Sequence, residues 1–388
     1  MEKKKPIWRK MFVAFLMMQI IAYFLNSDQF LQLSGMYIFL FGALMFGLVG
    51  TLVGVWNKNI QIYSFLILTI IVCMLISAAV NYSVVESGYL LSYVFLLFMT
   101  FLFATMDFDE ADMKKIKLAY VILALIISAL IIVFHKRFYA EESNRITIQI
   151  GSNPLIDPNY LAACLVAPSF FSIQFAMESK KNRILKWVLA AIILVGIFMT
   201  GSRGAMLAWG VGILIIVCKK FLDNFSAKKL MILIVGAVVA VVIVFRFIPA
   251  AYIERIFDVN TWMDASNIRR IDLWKNAFEM VFKRPLFGYG LGNTVSTIGT
   301  AAHNSYLELC VHFGLIGGIL FIVLLGILIF KKGNLYMKAT VVSTVIWAVF
   351  ISANVTMFLW LNISLCILSS RIENEKKKKR ELCNEQNR

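Results

Sequence analysis

Charge is what this sequence has least of. Only 15% of its 388 residues are charged and 60% are hydrophobic, against about 25% and about 45–50% in soluble globular proteins. That balance excludes a water-soluble globule. Histidine is scarcer still, with three in the chain. The six cysteines form no CxxC pair, and five of them (Cys73, Cys164, Cys218, Cys310 and Cys366) lie inside apolar runs. Neither a disulfide framework nor a zinc site is indicated. The apolar run that follows "MEKKKPIWRK" has no small-residue cleavage site behind it, which reads as an uncleaved first span rather than a signal peptide. No internal repeat and no obvious pair of carboxylates occurs.

What is present is a succession of apolar stretches, each near the about 17–25 residues that cross a bilayer as a helix. They are continuous rather than alternating, so helices and not a barrel are expected. Spans are placed near 8–26, 34–56, 60–80, 88–106, 116–134, 155–177, 184–200, 203–219, 229–248, 303–330, 336–352 and 354–370. The expected fold is an all-α polytopic membrane protein of about twelve spans. The net charge of +16 has a simple cause. Lysine and arginine collect in alternate loops, such as "ESKKNRILK", "KKFLDNFSAKK" and the tail "ENEKKKKRELC". The positive-inside rule puts those loops and both termini in the cytoplasm. No aromatic-basic interleaving suggests a nucleic-acid partner. Three segments are expected: 1–150 with the first five spans, a core over 151–330, and 331–388 with the last two spans and the basic tail.

This orientation leaves one long external loop, about 249–302. Within it, "RRIDLWKNAFEMVFKRPLFGYG" repeats Ile271, Trp274, Phe278 and Val281 at helical spacing until Pro285 and the glycines stop the pattern. An amphipathic helix on the membrane face, or capping the bundle, is predicted. Its glycines follow a helix rather than a strand, so they are no dinucleotide fingerprint. Asp258, Asp264 and Asp272 lack a ligand-like pattern, and no metal is assigned.

Ionisable groups near lipid are costly and mark function. Here they gather at span ends on the external side: Asp157 and Asn159, Arg203, Arg246, Arg269 and Arg270, then His303 and Asn304. A transporter would place its polar site near the midplane, between repeated halves. A site at the outer face fits instead an enzyme for a lipid-linked substrate, or a receptor. Arginines bind phosphate oxygens in bidentate fashion, and histidine serves as a base near neutral pH.

The stretches "TGSRGAML", "RIDLWKNAFEMVFKRPLFGYGLGN" and "AHNSYLELCVHFGLIGG", with "DPNYLA" before them, resemble the O-antigen ligase and O-antigen polymerase superfamily. The resemblance covers roughly 150–330. It implies a twelve-span glycosyltransferase of the GT-C kind outside the cytoplasmic membrane, moving a glycan from undecaprenyl diphosphate to an acceptor hydroxyl. It implies no cofactor, no metal and no nucleotide sugar. By position, Arg203 and Arg270 would hold the diphosphate, and His303 would activate or orient the acceptor. From their place at the external span ends, Arg269, Asn304, Asn159 and Arg246 are expected to contact substrate. A flippase and a chain-length regulator are the expected partners.

Alternatives stand beside these readings. Asp157 and Asn159 are also natural helix caps, Arg203 a snorkelling anchor, and His303 a polar cap on its span. A transfer of finished glycan to a lipid or protein would be ligase rather than polymerase chemistry. A transporter or flippase, or a scaffold, are readings of other classes. The resemblance departs at His312, where relatives often carry an acidic or other residue. His312 lies nine positions after His303, about half a turn out of phase on one helix, and it is assigned no role.

Overall fold

The computed structural model describes residues 6–21, 35–52, 62–137, 139–140, 145–146, 148, 157–223, 265–331 and 333–386. Among them are thirteen α-helices: α1 (Ile7–Ile21), α2 (Gly35–Leu52), α3 (Ile62–Val80), α4 (Ser87–Thr105), α5 (Glu110–Val133), α6 (Pro158–Glu178), α7 (Arg183–Met199), α8 (Arg203–Asp223), α9 (Ala265–Lys283), α10 (Asn293–Ile298), α11 (Ser305–Phe330), α12 (Leu335–Trp347) and α13 (Met357–Gln386). The expected all-helical membrane fold is present. A two-residue antiparallel pair, Tyr139–Ala140 with Arg145–Ile146, lies between α5 and α6.

Among the described residues, six helices are long and apolar enough to cross a membrane: α3, α4, α5, α6, α8 and α11. The expected twelve full crossings are not supplied by the described residues. The span placed at 229–248 lies outside them. The stretch read as spans at 336–352 and 354–370 folds as α12 and α13 around a turn at residues 348–356. With 13 residues, α12 rises about 20 Å, short of the about 30 Å hydrocarbon core.

Local chemistry sets the helix starts that matter here. Asp157 caps α6, accepting from the Asn159 N–H at 2.6 Å, and Pro158 follows in the first turn, where its missing N–H costs nothing. Asn304 caps α11, its Oδ1 accepting from the N–H groups of Tyr306 at 3.0 Å and Leu307 at 3.1 Å. The buried apolar side chains form one large core running through α1–α8 and α11–α13. A second, smaller cluster joins α9 to α11: Ala277, Met280 and Val281 meet Ala302 and Val311.

The expected single span at 303–330 is a kinked helix. Gly314 takes φ 79°, ψ 174° inside α11, a conformation that strongly favours glycine. The break is matched by the loop that follows α9. Leu315 N–H turns to the carbonyl of Pro285 at 2.7 Å, and Tyr289 N–H reaches the carbonyl of Val311 at 2.7 Å. The ladder bond between residues 315 and 311 is thus replaced by two bonds to "PLFGYG". A Cβ at Gly314 would collide with the Leu286 carbonyl, and one at Gly288, with φ 65°, with that of Val311. This interlock fixes where α9 sits beside the start of α11.

Candidate functional site at the starts of α6, α8 and α11

The rim is built where helix starts converge. Ser202, one residue before α8, donates its hydroxyl to Asn159 Oδ1 at 2.9 Å. Tyr160, in the first turn of α6, donates to the carbonyl of Ser352 at 2.9 Å. Gly204, near the start of α8, lies against the ring of Phe350. The same turn receives α11: Ser305 N–H binds the Ala348 carbonyl at 2.9 Å, and Ser305 Oγ donates to the Ile351 carbonyl at 2.6 Å. α9 lies against the start of α11 through the Ala277–Met280–Ala302 cluster.

His303 stands just outside α11, not on it. Its φ is 52°, one of two positive values among described non-glycine residues. Such a conformation costs about 1–3 kcal/mol and persists where the surroundings over-determine it. Because His303 precedes the cap, the half-turn phase argument between His303 and His312 does not apply. The imidazole Nδ1 is buried without a hydrogen-bond partner. Its pKa is held below the ordinary histidine value, first by burial and then by the charge of Arg270. Asp157 and Glu308 pull in the opposite direction, and Arg269 adds a further lowering. The ring is therefore neutral near pH 7, as a base must be.

The structure thus brings His303, Arg270, Arg269 and Asp157 into one electrostatic neighbourhood. Arg270 is half-buried and Arg269 exposed. Arg203, half-buried at the start of α8, joins the same rim by way of Ser202, Asn159 and the Phe350 turn. Asn159 and Asn304 are buried and have their side-chain carbonyl oxygens engaged, Asn159 by Ser202 and Asn304 by its own helix. Both expected substrate contacts therefore also hold the rim together. Arg246 lies outside the described residues. Among the described residues no three of His, Cys, Asp and Glu group in a way that could hold a metal ion.

The expected face of α9 needs correction. Val281 is buried and Trp274 half-buried, but Ile271 and Phe278 are exposed. The stripe that docks is Leu273, Ala277, Met280 and Val281, and a second apolar side, with Ile268, Ile271, Phe278 and Phe282, faces outward. A helix with two apolar sides satisfies more than one periodic reading.

Below His303 lies a group to which the sequence assigned no role. Glu308 and His312, four residues apart and fully buried, stand 3.3 Å from each other. Tyr93 Oη lies 2.8 Å from His312 Nδ1, and Asn354 Nδ2 donates to Tyr93 Oη at 2.5 Å. Gly292 N–H donates to His312 Nε2 at 3.3 Å, and the Thr294 hydroxyl lies 3.3 Å from the same atom. The pair thus ties α4, α10, α11 and the 348–356 turn together. The signal was an i, i+4 ionisable pair inside an apolar run.

Residues 188–322 match the family model described as O-antigen ligase. This segment is similar to the O-antigen ligase family. The O-antigen ligase domain spans about a third of the chain. It takes in Arg203, Arg269, Arg270, His303 and Asn304, together with Glu308 and His312, and stops short of Asn159. No curated protein matches the chain.

Proposed function

We propose that this protein is a polysaccharide polymerase. It transfers an undecaprenyl-diphosphate-linked oligosaccharide onto another lipid-linked repeat unit, at the outer face of the cytoplasmic membrane. The observation that carries the reading is the imidazole of His303, its Nδ1 buried and unpartnered, set in the field of Arg270 and Arg269. The O-antigen ligase domain supports glycan assembly as the setting.

In this reading the acceptor hydroxyl attacks the anomeric carbon while its proton passes to His303. The bond from that carbon to the diphosphate oxygen breaks, and the diphosphate leaves with the electron pair. Arg270 and Arg203 stabilise the charge that grows on it, an effect that is large in a water-poor site. A single displacement inverts the anomeric centre. A flippase delivers the substrate and a chain-length regulator acts on the product.

The test is His303→Ala and Arg270→Ala in the producing cells, with polymer length read on a gel and protein level read in membranes. Both variants are expected to cut polymer by about 100-fold or more, the range for loss of a positioned base. Long polymer at wild-type levels from both would end the proposal. Glycan-lipid that crosses the membrane without new glycosidic bonds would indicate a transporter. Repeat units that polymerise normally but fail to reach their final acceptor would indicate a ligase.

A further inference from the structure

We propose that Glu308 is a positioning residue for His303, acting through the backbone N–H of Ala302. The inference rests on the glycosyl-transfer reading above and adds to it a residue that never touches substrate.

Three observations converge on Glu308. It is buried in the first turn of α11 inside an apolar run, where a carboxylate is retained only if it is well partnered. Its Oε1 accepts the Ala302 N–H at 2.6 Å and the Ser352 hydroxyl at 3.0 Å. Its Oε2 stands 3.3 Å from His312 Nε2. The carboxylate does not cap its own helix. It reaches back past Asn304 to the residue before His303.

The consequence is a backbone held on both sides of one residue. Ala302 is fully buried, its methyl group packed with Ala277 and Met280 of α9 and its N–H tied to Glu308. Asn304 is tied to the first turn of α11 by two bonds to Oδ1. His303 lies between two fixed neighbours and takes the left-handed conformation that joins them, with φ 52°. Freed at Ala302, the segment relaxes toward ordinary backbone angles and the imidazole turns away. The second oxygen of Glu308 stands against His312 Nε2, and the other ring nitrogen of His312 lies against Tyr93 and Asn354.

The charged groups acting on His303 are Arg270 and Arg269 from α9, Asp157 from the start of α6, and Glu308 from α11. Glu308 favours the protonated ring. That gives a readout separating positioning from plain structural support. Glu308→Gln keeps an oxygen for Ala302 and removes the negative charge. Glu308→Ala removes both.

The experiment uses the full chain in membrane vesicles from the producing cells, with their own lipid-linked oligosaccharide as substrate. Rate is measured against pH, and melting of the purified protein is followed alongside. Glu308→Ala is expected to lower kcat about 100-fold, the scale for a small misplacement of a reacting group, with KM little changed. Glu308→Gln is expected to recover at least a tenth of the wild-type kcat and to move the acidic limb of the profile to lower pH. Wild-type kcat in Glu308→Ala, or an unmoved limb in Glu308→Gln, overturns the inference. His303→Ala, run in parallel, keeps the two readings apart. If it retains full activity, the reading of His303 as the base fails. If it is inactive while Glu308→Ala behaves as wild type, only the role of Glu308 falls.

Discussion

The two ends of the helix bundle treat buried charge in opposite ways. At the end formed by the starts of α1 and α5, Arg9 is enclosed by acids. Its Nε donates to Asp112 at 2.6 Å, its guanidinium also pairs with Asp109 at 2.7 Å, and Asp107 lies at 4.0 Å. Asp109 and Asp112 form a reciprocal capping box at the start of α5. Nearby, Arg371 of α13 donates to the carbonyls of Phe103 and Met106 at the end of α4, where helix carbonyls lack partners. The other end holds a histidine with a buried, unpartnered nitrogen, a left-handed backbone and two neighbouring arginines. At the first end the buried guanidinium groups meet carboxylates or helix-end carbonyls, as stability requires. The second end sets a strained histidine with an unpartnered ring nitrogen beside like-charged arginines, which is how a reactive site differs from a joint.

If that contrast is right, breaking the matched end harms folding and spares chemistry. Asp112→Ala leaves Arg9 buried beside only the more exposed Asp109 and Asp107. Stability is expected to fall toward the about 3–5 kcal/mol seen when one partner of a buried pair is removed, at the lower end because Asp109 remains. Folded protein drops, while the rate per folded molecule and its pH profile stay at wild type. Melting of purified protein and activity normalised to folded material check this. A normalised rate that falls as far as that of His303→Ala would erase the distinction between the ends.

The kink in α11 belongs to the reactive end and sharpens the comparison within one helix. Gly314→Ala forces a side chain into the Leu286 carbonyl and off a φ of 79°. It is expected to cost more than the about 1 kcal/mol of an ordinary glycine change. It should also lower activity, because the interlock with "PLFGYG" holds α9 and Arg270. Gly326→Ala, in the same helix with open space around its Cβ position, is expected to be neutral or to stabilise by up to about 1 kcal/mol. Thermal melting and polymer yield of the two variants, side by side, decide it.

These devices were unequally legible in the sequence. Asp157 with Pro158, and Pro285 with the glycines after it, carry their meaning locally, because caps and stops are set by neighbouring residues. The family motifs then put Arg203, Arg270 and His303 in one region. The kink was not legible, because its compensation comes from Pro285 and Tyr289, residues of another element. The partners of Glu308 were hidden for the same reason: one is a backbone N–H, and the other, Ser352, is 44 residues away. The phase argument against His312 assumed that His303 sits on the helix, and a positive φ cannot be read from a histidine codon by codon. The docking stripe of α9 was misread because the helix is apolar on two sides.

The finest test of the reactive end is the pH at which it fails. If His303 is the base, activity falls on the acid side as its ring takes a proton. Arg270 disfavours that proton more than Arg269 does, and Asp157 favours it. Removing a neighbouring positive charge raises the histidine pKa and moves the acidic limb to higher pH. Arg270→Gln is therefore expected to shift the limb upward, and Arg269→Gln upward by less, since it is the more exposed and the more screened. Asp157→Asn is expected to shift it downward while keeping α6 capped, because asparagine caps as well as aspartate. The residual activity of each variant, titrated at constant salt, gives the order. A limb that ignores all three charges would mean that a group remote from this rim takes the proton. The contrast between the two ends would then lose its chemical half.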